Sequence, residues 1–206
     1  MKNVPRSISI GFFVIVLLSF GISSAYAKTF RGRVIDADTK EPIEGAVVVA
    51  EWMTEIETPT ATHTDLKDVK ECLTDKNGKW SITGRRGRDN GQLFIPYTKE
   101  PQFIVFKPGY CPWPIGFEID ACRNRIKIIG GKDEELGEGG TLELPKLTNR
   151  EDRLYAQGVR PDSWDEIVAN KQKAKKIKNF LRLLNGERKR LGLDEYPIWK
   201  EIQNEK

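Results

Sequence analysis

Two hydrophobic periods divide the chain. Up to about Leu147, apolar and polar residues form short runs separated by Gly, Pro, Asn and Asp, as in β-strands. From Trp164 onward, apolar residues recur at helical spacing. Thr29 to Asp36 alternates, with Phe30, Gly32, Val34 and Asp36 on one face and Arg31, Arg33 and Ile35 on the other. Gly45 to Glu51 predicts a second strand around the β-branched run Val47-Val48-Val49. Met53 to Lys70 is polar and Thr-rich and reads as an irregular excursion. Cys72 to Asp75 and Lys79 to Thr83 flank Lys76-Asn77-Gly78. Asn-Gly between strand-like runs predicts a hairpin, because both residues tolerate positive φ. Gln102 to Lys107, apolar at Phe103-Ile104-Val105-Phe106, reads as a central strand. Arg125 to Ile129 and Thr141 to Leu147 close the series around an acidic, Gly-rich stretch. Short strands with regular turn signals predict a mainly-β protein, a β-sandwich with a C-terminal α-helical extension.

The extension should start at Ser163, where Ser163 and Glu166 have the spacing of a capping box. Ile167, Ala174, Ile177, Leu181, Leu184 and Leu191 form one stripe, and Lys171, Lys173, Lys175, Lys176 and Lys178 lie on the other face. This predicts one amphipathic helix from about Trp164 to Leu184. Three uses fit it. The stripe could pack on the sandwich, the favoured reading because most such helices are structural. It could form a coiled-coil seam, although Asn170, Gly186 and Arg188 spoil the heptads. The Lys171 to Lys178 face could make peripheral contact with an anionic membrane.

The N-terminus belongs to neither region. Lys2 and Arg6 precede an apolar run from Ile8 to Ile22, and Ala25-Tyr26-Ala27 ends it with small residues. That order predicts a secretory signal, residues 1–27, cleaved near Ala27. The run is shorter than the ~20 residues that comfortably span a bilayer. The expected mature chain is secreted or periplasmic, with the sandwich over 28–148 and the helical extension over 149–206. Export admits disulfides. Cys72, Cys111 and Cys122 allow three pairings and at most one internal bridge. Cys111 and Cys122 are the nearest pair in sequence and flank a Pro-rich loop, which favours them.

The charge balance excludes some functions. The chain has 206 residues, 34 Lys and Arg, 30 Asp and Glu, and a net charge of +4. That excess is too small for a nucleic-acid partner, which would need a basic stripe. A single histidine, His63 in a polar loop, leaves no metal site of several histidines. Asp75 opens a stretch like an EF-hand loop, but Arg86 stands where the closing carboxylate belongs. Gly84 to Gly91 is basic and Gly-rich, without the ending of a phosphate loop. No Gly-x-Ser-x-Gly elbow presents a nucleophile, and Asp133-Glu134-Glu135 reads as a solvated loop.

Three blocks carry a resemblance. Gly32-x-Val34-x-Asp36 leads to Thr39, Pro42, Ile43 and Gly45-Ala46-x-Val48; Thr74-Asp75-x-x-Gly78-x-Trp80-x-Ile82 follows; then Phe103-x-Val105-x-Lys107-x-Gly109-Tyr110. In this order they resemble the carboxypeptidase regulatory-like domain family, over about Thr29 to Leu147. The resemblance implies a small transthyretin-like, Ig-like sandwich without catalytic residues of its own. It also implies a fold that elsewhere carries iron dioxygenases, whose several His and Tyr ligands one His cannot supply. The long stretches from Glu51 to Glu71 and from Thr83 to Glu100 depart from the family pattern.

The expected function is therefore an exported, non-catalytic binding or accessory module of the cell envelope, with no cofactor and an unidentified protein or carbohydrate partner. Trp113, held between Pro112 and Pro114, and Tyr110 are the candidate contact residues. An exposed row of aromatics would favour a carbohydrate-binding module. A cleft of converging carboxylates with a raised carboxyl pKa would favour a hydrolase.

Overall fold

The computed structural model describes residues 27–88, 91–115 and 119–204. The expected signal segment lies outside these, apart from Ala27. The strands are β1 (Ala27–Asp36), β2 (Val47–Glu57), β3 (Thr62–Leu73), β4 (Lys79–Arg85), β5 (Tyr97–Thr98), β6 (Gln102–Phe106), β7 (Lys127–Ile129) and β8 (Glu138–Leu144). They form two sheets. The first runs β4-β1-β8-β7, with β1 and β8 parallel. In the second, β3 lies on one side of β2, and β5 and β6 lie on the other. The helices α1 (Arg150–Tyr155), α2 (Trp164–Ala169), α3 (Lys171–Lys175), α4 (Lys178–Arg190) and α5 (Pro197–Gln203) follow. The protein is mainly β, as its alternating pattern implies.

The layers explain the continuous apolar runs. Alternate residues of β2 point to opposite faces. Val48, Ala50 and Trp52 join Phe30, Val34, Trp80, Leu142 and Leu144 in the core between the sheets. Val47 and Val49 join Ile104, Phe106, Ile167, Ile177, Phe180, Leu181 and Leu184 in a second core, between sheet two and the helices. The molecule is thus three layers deep, and its middle layer is buried on both faces. The apolar stripe of the extension docks on the sandwich.

Several local expectations need correction. The Thr-rich segment is not irregular: β2 and β3 pair from Val47↔Leu73 to Glu57↔Thr62, with a register shift after Trp52. Beyond that shift residues 54–57 are half-buried and 62–65 exposed, so no hydrophobic alternation marks the strands. The Asn77-Gly78 turn does not close a hairpin, because β3 pairs with β2 and β4 with β1; it crosses between the sheets. Gly78 alone of the two has positive φ, 72°, and its amide reaches the Asp75 carbonyl at 2.8 Å. β6 is not central: it pairs with β2 on one side and meets only an isolated bridge at Trp113 on the other. Its burial comes from the layers above and below it. Finally, the helix is not continuous.

The breaks have identifiable causes. Asn170 is extended (φ −124°, ψ 107°), and its side chain accepts from the amides of Gln172 and Lys173, restarting the helix as α3. Ile177 (φ −120°, ψ 38°) breaks it again before α4. The Ser163–Glu166 capping box does not form. Glu51 of β2 accepts instead from the Asp162 and Ser163 amides, both at 2.9 Å, and from the Ser163 hydroxyl. Glu71 of β3 likewise accepts from the Asn179 and Phe180 amides, at 2.6 and 2.8 Å, at the start of α4. Two sheet carboxylates therefore supply the helix caps from across the layer boundary.

Candidate functional site

A cavity of about 770 Å³ opens between the two sheets, within the range of small-molecule sites. One wall is the β6 edge, from Pro101 to Ile104, with Trp113 beside it. The other is the start of β1 and the loop into β8. Lys28 and Phe30 enter from β1, Leu136 and Gly137 from that loop, and Glu138 from the first position of β8. Arg160 and Asp162 enter from the segment before α2.

The backbone of β6 contributes polar groups as well. In an antiparallel ladder, residues alternate between bonding one neighbouring strand and facing away from it. The Val105 amide donates to the Trp113 carbonyl at 2.7 Å and the Trp113 amide to the Val105 carbonyl at 3.0 Å, so Val105 faces away from β2. Two residues back, Phe103 faces the same way. The bridge stops at Trp113, and among the described residues no backbone group bonds Phe103 on that side. The Phe103 ring turns inward instead, against Phe30 and Trp80 at centroid distances of 5.5 and 5.3 Å.

The charges beside this edge are unevenly satisfied. The Lys28 ammonium lies 2.5 Å from Glu138 and 3.4 Å from Glu100. Burial pulls the Lys28 pKa down, but its bond to Glu138 and its attraction to both carboxylates raise it overall. That bond to Lys28 likewise holds the Glu138 carboxyl low. The second oxygen of Glu100, Oε2, is buried without a hydrogen-bond partner among the described residues. A buried carboxylate oxygen without a donor is costly and calls for an explanation.

The two aromatic candidates separate. Trp113 lines the cavity, half-buried and packed against the inter-sheet core. Tyr110 does not line it. Its hydroxyl donates to Asp36 at 3.2 Å, its ring lies under the Lys146 ammonium, and Lys146 pairs with Asp36 at 3.3 Å. These contacts tie Tyr110 to the Asp36 turn, away from the cavity. Cys111 and Cys122 form a disulfide behind it, and Cys72 is free, with burial pushing its thiol up to about 11. On the lysine face, Lys173 pairs with Glu166, and Lys176 with Asp68 at 2.6 Å. His63 stands exposed on β3.

The candidate residues that sequence reasoning missed are Lys28, Glu100, Phe103 and Glu138. Their only signal is position, at strand starts that converge once the sheets stack. The exposed aromatics Phe94 and Tyr155 lie on separate elements, so no aromatic row forms among the described residues. Glu138, held low by Lys28, is the opposite of a general acid. Among the described residues no group of three or more His, Cys, Asp and Glu could hold a metal ion, and no helix is long and apolar enough to cross a membrane.

No protein-family profile and no curated protein matches the chain. A solved structure of a point mutant of catechol 1,2-dioxygenase from Acinetobacter radioresistens is similar at a TM-score of 0.29 and 17% identity, covering 60% of this chain and 53% of that one. The chain thus spans about half the length of that enzyme, and a likeness this slight carries no argument about fold or activity.

Proposed function

We propose that the protein is an exported, non-catalytic β-sandwich binding module of the carboxypeptidase regulatory-like kind, with the cavity beside β6 as its ligand seat. The observation that carries this reading is the Glu100 carboxylate: the residue lines the cavity, and its Oε2 has no donor among the described residues. A ligand donating there would remove the cost of burying it. Trp113 offers an apolar face beside it, and the charged rim supplies polar contacts of both signs. The resemblance gains physical content at its glycines: Gly45, Gly78 and Gly109 of the three blocks adopt φ of 67°, 72° and 80°. Among the described residues the exposed aromatics form no row of the kind that would favour a carbohydrate ligand.

The test is a binding screen of immobilised glycans and peptides against the wild type, Trp113→Ala and Glu100→Gln. The reading expects at least one ligand whose affinity falls about tenfold or more in Glu100→Gln, the loss of a charge-assisted hydrogen bond. Ligands that bind both variants like the wild type, or turnover of any of them, would contradict it.

A further inference from the structure

An open strand edge is a template for another strand, and proteins ordinarily shorten, charge or cover such edges. β6 is short and Pro101 blunts its start, but among the described residues no strand or loop pairs with its edge at Phe103. Trp113 covers the edge at Val105 by strand pairing, and no other described residue bonds the Phe103 N–H and C=O, which lie beside the cavity. Next to them lie an apolar surface from Trp113 and the donor-less oxygen of Glu100. On the Pro101 side the edge offers only an acceptor, because proline has no N–H. Backbone groups facing outward, a flanking apolar surface and a carboxylate that needs a donor make one recognition pattern, that of strand addition.

We infer that the cavity takes an extended peptide that adds to β6 at Phe103 and sets a basic side chain against Glu100. This rests on the reading of the cavity as a ligand seat and names the ligand class. In such a complex one peptide residue exchanges both backbone bonds with Phe103. Its sequence neighbours turn their amides away, by the alternation that leaves Phe103 itself free. The occupant is a peptide rather than a sugar because the outward pair is a peptide donor and acceptor on a strand edge.

The experiment is a panel of eight-residue peptides, each with one arginine, alongside a glycan panel, both read by fluorescence anisotropy on the full chain. The best peptide is then resynthesised with a single N-methyl group at each backbone nitrogen in turn. Strand addition predicts that methylation at one central position lowers affinity about tenfold or more, while methylation at the two adjacent positions leaves it unchanged. Glu100→Gln should weaken the arginine peptide about tenfold and spare its norleucine analogue. A flat methylation profile with tight peptide binding would overturn strand addition. Binding of glycans but not peptides, sensitive to Glu100→Gln, would overturn the peptide assignment and leave the seat intact. Binding of neither panel would overturn both readings.

Discussion

At Asp36 a carboxylate only 2% exposed is held by its own turn. The amides of Asp38 and Thr39 both donate to it at 2.9 Å. Burial would push its carboxyl up, but the Thr39 and Asp38 amides, then Lys146 and Tyr110, outweigh burial and hold it at about 2. A depressed folded pKa contributes stability above the unfolded value, near 3.9, and loses it as pH falls through about 2. Asp36→Asn should therefore cost about 1–2 kcal/mol at neutral pH, a figure discounted because Lys146 stands half in water. The difference should fade between about pH 4 and pH 2 in urea melts taken across that range. The turn at Asp38-Thr39-Lys40-Glu41-Pro42 is recognisable in sequence, because Asp and Thr side chains bond nearby backbone and Pro fixes φ. Its link to Tyr110 and Lys146 is not, because those residues arrive from two distant segments.

Among the elements, the helix caps separate local from tertiary logic. Ser163 with Glu166 looks self-sufficient in sequence, yet Glu51 takes both backbone amides, and Glu166 forms an exposed pair with Lys173. Glu51→Ala should lose about 2–4 kcal/mol, because it strands the amides of Asp162 and Ser163 in a buried place. Glu166→Ala should lose less than about 0.5 kcal/mol, the ordinary worth of an exposed pair. Chemical denaturation of the two variants checks the order, and a larger loss in Glu166→Ala would restore the local capping box. Asn170 and Ile177 show the same limit. An unbroken apolar stripe predicts an unbroken helix, whereas the sheet beneath it accepts three short ones.

Across the whole molecule, β2 and β6 belong to both cores, so the layers should stand or fall together. Leu181 is fully buried in the helix-side core, and a charge there has no partner among Val47, Val49 or Phe106. Leu181→Asp should cost about 3–5 kcal/mol and lower the unfolding temperature of the whole chain in one transition. Two transitions, with the sandwich melting as before, would show that the helices are an independent unit. The runs Val47-Val48-Val49 and Phe103 to Phe106 announce burial on both faces. They do not announce what lies alongside each strand, since side-chain pattern records faces and not edges. For that reason the site escapes the sequence while most of the strands do not.

The open edge at Phe103 is the claim on which the functional account turns, and amide hydrogen exchange along β6 in the free protein tests it most directly. Ile104 and Phe106 pair with β2, and the Val105 amide donates to Trp113. All three amides should exchange slowly, and Phe103 between its protected neighbours should exchange orders of magnitude faster. Protection of Phe103 equal to that of Ile104 and Val105 would mean that the edge is already covered, and would contradict the account.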